Sequence, residues 1–219
     1  RVANRVLVNS FSVLKECLKI ENLPKDKITL IQNAVVVDKF NRVSNREAKR
    51  ALGLDGRFPI IGVVGNWRRI KGINSFLKSA AVVSREIPNA NFIIAGNGPQ
   101  ENELKQLAQD LGIQHNTFFF KNCTNIPIVM AAFDIAVQPS LTESFSNVLV
   151  EYMAAANPIV ASRVGDAEKI IEDGNNGLLV PPNNPEELGT AILHLWHNRD
   201  MASNMGKLAR EKVVANWSS

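Results

Sequence analysis

Glu143 and Glu151 flank a junction in the segment Asp134 to Glu151, DIAVQPSLTESFSNVLVE, which reads as a buried strand, a polar turn and a helix beginning near Ser146. A helix start leaves backbone N–H groups without partners and carries the positive end of the helix dipole, so such a junction receives an anion. Glu143 stands where a carboxylate can grip polar groups attached to that anion. Ser146 or Asn147 can cap the helix, and Asn147 shares a helix face with Glu151, four residues on. A phosphate held beside a hydroxyl-rich group is the chemistry of a nucleotide sugar. Taken alone, a residue such as Glu151 is more often just a surface acid.

Two further loops leave the carboxyl ends of expected strands, where open parallel sheets bind ligands. In GNWRRIKG, Gly65 to Gly72, the glycines allow close backbone approach, and Arg68, Arg69 and Lys71 supply cations. A guanidinium and an ammonium there could neutralise a diphosphate and stabilise it as it leaves. A solvated basic turn fits the same residues. AGNGP, Ala95 to Pro99, begins like a dinucleotide fingerprint but lacks the third glycine, so a structural tight turn is expected. Other chemistry is thin. No DxD pattern offers paired aspartates to a metal. His194 and His197 share a helix without a Cys or acid cluster behind them, and read as surface or partly packed residues. There is no GxSxG elbow and no GxxxxGK[ST] loop.

The elements that must carry these loops alternate along the chain. Short apolar runs at Pro59–Gly65, Asn91–Gly96, Phe118–Phe120, Ile135–Val137, Pro158–Ala161 and Leu178–Val180 read as strands. Between them, Phe76, Leu77, Ala80 and Val83 mark one amphipathic helix and Leu104, Leu107, Ala108 and Leu111 another. Val148, Leu149, Tyr152 and Met153 belong to the helix after Ser146. Asn184-Pro185-Glu186-Glu187 offers a cap, a first-turn proline and first-turn acids, ahead of a face formed by Leu188, Ile192 and Leu195. Continuous apolar strands alternating with helices imply an α/β, doubly wound, Rossmann-like parallel sheet. Before it, Arg5–Asn9 and Ile28–Ile31 read as strands around a helix at Ser12–Ile20, and Val35–Ser44 reads as linker. Residues 1–36 are therefore expected to be the tail of a preceding domain plus linker, and residues 37–219 a ligand-binding domain. Asn216-Trp-Ser-Ser carries no cap and reads as a cut end.

Bulk properties narrow the classes. The chain of 219 residues is 45% hydrophobic and 21% charged, enough for a sizeable core and against disorder. Its net charge of +4 and pI near 9.2 suit an anionic ligand or a membrane surface and demand neither. No basic stripe with interleaved aromatics appears, so no nucleic-acid partner is expected. Cys17 and Cys123, far apart and without CxxC, read as free thiols of a reducing, cytoplasmic compartment. Asn122-Cys-Thr and Asn216-Trp-Ser match the N-glycosylation pattern but are not expected to be used. No run is long and apolar enough for a membrane helix.

Several of these stretches together carry a family resemblance. ESFSNVLVE resembles the E-x7-E signature of retaining glycosyltransferases with the GT-B fold, of the large family four (group 1) type. GNWRRIKG resembles that family's phosphate loop, and AGNGP its strand-end turn. NPIVASRVGDAEKIIEDGNNGLLVPPNNPEELGTAI follows its closing stretch. The similarity runs from about Val6 to the end. It implies the C-terminal, donor-binding half of a GT-B enzyme whose N-terminal half binds the acceptor. By position, Glu143 would contact sugar hydroxyls, Glu151 the ribose hydroxyls, and Lys71 with Arg68 the diphosphate. Gly65 and Asn66 would lie along the donor, backbone groups of Ser146, Asn147 and Val148 would meet the phosphates, and Lys121, Asn122 and Cys123 would lie beside the base. The resemblance implies anomeric retention, no metal and no cofactor beyond the UDP-, GDP- or ADP-sugar donor. Its acceptor would be a sugar, lipid-linked or polysaccharide molecule, with peripheral contact at the inner membrane face through the N-terminal half. ESFS stands where EGFG is commoner, Asn66 where the loop arginine usually stands, and Asp166 where a second glycine usually follows Gly165. A non-catalytic nucleotide-sugar-binding module and a GT-B-fold nucleotide-sugar epimerase are the alternative readings.

Overall fold

The computed structural model describes residues 4–40 and 43–218. Residues 1–3, 41, 42 and 219 belong to the opening segment, the linker-like stretch and the last tetrapeptide, and lie outside the described residues. At the start, β1 (Val6–Val8) and β2 (Ile28–Leu30) form a two-stranded parallel sheet joined through α1 (Phe11–Lys19). Helix α2 (Asn45–Ala51) follows. Six strands then make the main sheet: β3 (Ile60–Val64), β4 (Asn91–Ala95), β5 (Thr117–Phe120), β6 (Ile135–Gln138), β7 (Ile159–Ser162) and β8 (Leu178–Val180). Between and after them run α3 (Ile73–Glu86), α4 (Glu101–Asp110), α5 (Ile126–Ala131), α6 (Asn147–Ala154), α7 (Ala167–Ile170), α8 (Pro185–His197) and α9 (Arg199–Trp217).

Every pairing in the main sheet is parallel, in the order β5-β4-β3-β6-β7-β8. Parallel strands need covered faces, and the central strands IIGVV and IAVQ are almost wholly buried, which is why they read as unbroken apolar runs. One face carries Trp67, Phe76, Leu77, Phe92, Leu104, Ile192 and Leu195 under α3, α4 and α8. The other carries Met130, Phe133, Leu149, Tyr152, Met153 and Trp217 under α5, α6 and α9. From β3 the chain winds outward through β4 and β5, then returns to start again at β6. The strand order therefore reverses between β3 and β6, and a crevice opens beyond their carboxyl ends.

Local signals account for several helix starts. Asn184 accepts from the Glu187 N–H at 3.1 Å, with Pro185 in the first turn of α8. Ser44 and Glu47 form a reciprocal capping box that starts α2. Residues 35–40 of the stretch read as linker pack against the core. Val35, Val37 and Phe40 are buried in the core with Trp217, and the Val35 N–H donates to the Trp217 carbonyl at 2.8 Å. Its apolar residues lie at no regular period, so the pattern gives no element while the burial is real. Strand–helix alternation anticipates α5 and α7 without bounds, whereas α2 and α9 stand outside the elements read from the sequence. Among the described residues no helix is long and apolar enough to cross a membrane.

Candidate functional site

Two loops meet at the crevice. The β3 exit runs from Gly65 into a short 3-10 turn, Arg69–Lys71, and then Gly72, the N-cap of α3. Gly72 has φ +64, and a Cβ there would sit 1.9 Å from the Pro139 carbonyl oxygen on the β6 exit. Only glycine permits both the left-handed backbone and this approach. The Leu141 N–H donates to the Ile70 carbonyl at 2.8 Å and closes the seam. The loop after β4 backs this arrangement: Gly96 lies against the Gly65 carbonyl and Gly98 against Trp67, so AGNGP is a packing turn, as expected.

The seam brings Lys71 to Glu143. Lys71 Nζ donates to Glu143 Oε1 at 2.5 Å, with side-chain exposures of 31% and 13%. Ser140 Oγ donates to the same oxygen at 2.9 Å. Both charged residues line one cavity of about 220 Å³, together with Gly65, Asn66, Ser146, Asn147, Val148 and Glu151. Ser146 occupies the N-cap of α6 but makes no side-chain cap bond. The N–H groups of Asn147 and Val148 thus remain available at a helix start facing an ammonium. Positive charge, an acid and free donors converge there, which suits an anion joined to a hydroxylated group.

Glu151 projects from the second turn of α6 into the same cavity and into a neighbouring recess of about 290 Å³ that Asn33, Val35 and Asn147 also line. Burial pushes its carboxyl pKa upward, because charge is disfavoured away from water. Tyr152, its neighbour on α6, is wholly buried and its phenol is pushed far upward by desolvation. The Tyr152 hydroxyl accepts from the Val64 N–H at 2.7 Å, tying α6 to the end of β3.

Asn122 and Cys123 line a shallower recess of about 250 Å³ that shares Val64, Gly65 and Asn66 with the main cavity. Burial raises the Cys123 thiol pKa. Lys121 turns elsewhere, pairing with Glu101 of α4 at 2.9 Å. Arg68 is exposed and is not among the residues lining the cavity, so of the two expected cations only Lys71 is placed in it. Ser140 and Gln138 line the cavity without having been singled out from the sequence. Gln138 had a readable signal: an amide closing an otherwise apolar strand. Its Oε1 is buried without a hydrogen-bond partner, and its Nε2 lies 3.5 Å from Ser146 Oγ. A larger recess of about 460 Å³ under α5 carries, among the described residues, a single ionisable side chain, Lys39. His194 and His197 sit on the surface, and no group of three or more His, Cys, Asp or Glu able to hold a metal occurs among the described residues.

Comparison with known proteins bears on the family and the fold. An uncharacterized glycosyltransferase of Methanocaldococcus jannaschii is 31% identical over 212 residues, covering 93% of this chain and 54% of its own length. The alpha-D-kanosaminyltransferase of Streptomyces kanamyceticus is 29% identical, covering 100% of this chain and 58% of its own. The chain thus spans about half the length of the curated relatives it matches. The crystal structure of Anabaena HepE in complex with UDP and glucose superposes with a TM-score of 0.90 at 22% identity, over 100% of this chain and 60% of that one. The doubly wound α/β architecture expected for half of a GT-B fold is the one observed. The family described as Glycosyl transferases group 1 matches residues 44–212, and the chain belongs to that family.

Proposed function

We propose that this chain is the donor-binding half of a retaining glycosyltransferase that moves a sugar from a nucleoside-diphosphate sugar to an acceptor hydroxyl. The observation that carries the reading is the single cavity onto which Lys71, Glu143 and the uncapped start of α6 all open. In it, the diphosphate lies between the Lys71 ammonium and the N–H groups of Asn147 and Val148. That positive charge stabilises the diphosphate as the bond to the anomeric carbon breaks, with no metal required. Glu143 Oε1 is held by Lys71 and Ser140, so Oε2 turns to sugar hydroxyls. The ribose hydroxyls meet Glu151, and the base lies towards Asn122 and Cys123. Arg68, on the same loop but outside the lining, is the weaker assignment for a second cation. With the diphosphate fixed on one face of the sugar, the acceptor enters on the face it vacates, which retains the anomeric configuration. Sugar, lipid-linked and polysaccharide acceptors all fit this scheme, since the acceptor side is supplied from outside the cavity.

HepE has been crystallised with UDP-glucose, which makes UDP and UDP-glucose the first probes. Calorimetry should find saturable binding of at least one of UDP, GDP and ADP to this chain. Lys71→Met should weaken it roughly 10- to 100-fold, the value of one charge-assisted hydrogen bond. A chain that binds none of the three, or a methionine variant that binds equally well, refutes the reading.

A further inference from the structure

We infer that Asp166 is a positioning residue for Glu143, coupling the opening β1–α1–β2 segment to the donor cavity; this rests on the reading of Glu143 given above. Asp166 is 2% exposed and lies in the turn after β7. Its Oδ2 accepts from the Phe11 N–H at 2.7 Å and its Oδ1 from the Ser12 N–H at 2.8 Å. These are the first two N–H groups of α1, and Ser10 Oγ takes the third, from Val13, at 3.1 Å. A carboxylate from a residue 154 positions away thus completes the cap of α1.

The other side of the same residue grips the catalytic loop. The Asp166 N–H donates to the Ser144 carbonyl at 3.0 Å, and Ser12 Oγ lies 3.4 Å from that carbonyl. Gly165 has φ +56, and a Cβ there would fall 2.2 Å from the Glu143 carbonyl oxygen and 2.6 Å from that of Ser144. The turn 163–166 therefore lies directly against the backbone that carries Glu143. Three pieces distant in sequence meet at Asp166: the start of α1, the β7 exit and the β6 exit. A glycine at 166 would keep the backbone bond to Ser144 and lose the bond to α1. The aspartate adds the link through which the opening segment sets the height of the Glu143 loop over Lys71.

The test uses this chain with Asp166→Asn and, as control, Ser10→Ala. The control loosens the start of α1 without touching Asp166. Amide exchange is read for residues 140–146 without ligand. Affinities are read for UDP, GDP and ADP and for their glucose conjugates. Asp166→Asn should speed exchange in 140–146 roughly tenfold, the value of a charge-assisted bond reduced to a neutral one. It should also erase most of the preference for the conjugate over the bare diphosphate while leaving the diphosphate within twofold, or about 0.4 kcal/mol. Ser10→Ala, which leaves both Asp166 carboxylate bonds in place, should speed exchange in α1 and shift the other two readouts less than Asp166→Asn does. Unchanged exchange at 140–146 in the asparagine variant overturns the coupling, as does an equal response to Ser10→Ala. Failure of the donor-site reading looks different: wild-type chain that binds no diphosphate, whatever the exchange shows.

Discussion

Glu151→Gln should make the protein more stable and a poorer binder at the same time. The carboxyl lies on the inner face of α6, is raised in pKa by burial, and has no hydrogen-bond or ion-pair partner among the described residues. Folding therefore favours the protonated form. Any stability associated with this group is fully present below the ordinary carboxylate pKa, and it is lost as pH rises through the higher native value. Glutamine removes that loss, so the variant should gain on wild type as pH rises from the ordinary carboxylate range through the raised native value, and hold a constant advantage above it. Binding moves the other way. A carboxylate accepting two ribose hydroxyls makes two charge-assisted bonds, each about 1 to 1.5 kcal/mol stronger than its neutral counterpart. Losing that surplus costs about 2–3 kcal/mol, roughly 30- to 150-fold in affinity. Urea unfolding across the pH range gives the first quantity. Calorimetry with a nucleoside diphosphate and its 2′,3′-dideoxy analogue gives the second, and the variant should discriminate far less between the two sugars. A glutamine variant that binds as tightly as wild type removes Glu151 from the ribose role, and one that loses stability with rising pH in parallel with wild type refutes the burial argument for its carboxyl.

Two other outcomes follow from residues away from the cavity. Lys49 and Asp134 form a nearly buried pair at 2.7 Å, and the same carboxylate oxygen accepts from the Ile60 N–H at the start of β3. Lys49→Met should cost about 3–5 kcal/mol in urea midpoint analysis, because it strands a buried carboxylate; a loss below about 1 kcal/mol would show that water reaches Asp134. Helix α6 ends in a Schellman arrangement, Ala156 N–H to Met153 carbonyl and Asn157 N–H to Tyr152 carbonyl, with Ala156 at φ +54 where glycine is usual. Ala156→Gly should stabilise the chain by about 1 kcal/mol in the same assay, and a destabilised variant would contradict the account of that cap.

The grouping of Lys71, Glu143, Asn147 and Glu151 around one cavity was legible because these residues lie close in sequence to the strand ends that present them. Glu143, Asn147 and Glu151 sit on one strand–turn–helix, and Lys71 follows β3 by a short glycine-bounded loop, so period and punctuation alone located them. The same logic found the six strands, whose burial on both faces leaves unbroken apolar runs. It failed where position depends on a partner far along the chain. Val35 is core because the end of α9 comes back to it, and no local period announces that. Arg68 matched a loop pattern, but the 3-10 turn after it sends Lys71 inward and leaves Arg68 in solvent. Asp166 read only as a departure from a glycine pair, yet it joins elements more than 130 residues apart. Local pattern specifies which groups can reach a strand end. Their mutual height, and hence whether an ammonium and a carboxylate share a ligand or merely face one another, is set by such long-range contacts. A sub-ångström shift of the loop against its neighbour changes a hydrogen bond at 2.5 Å far more than it changes any feature of the sequence.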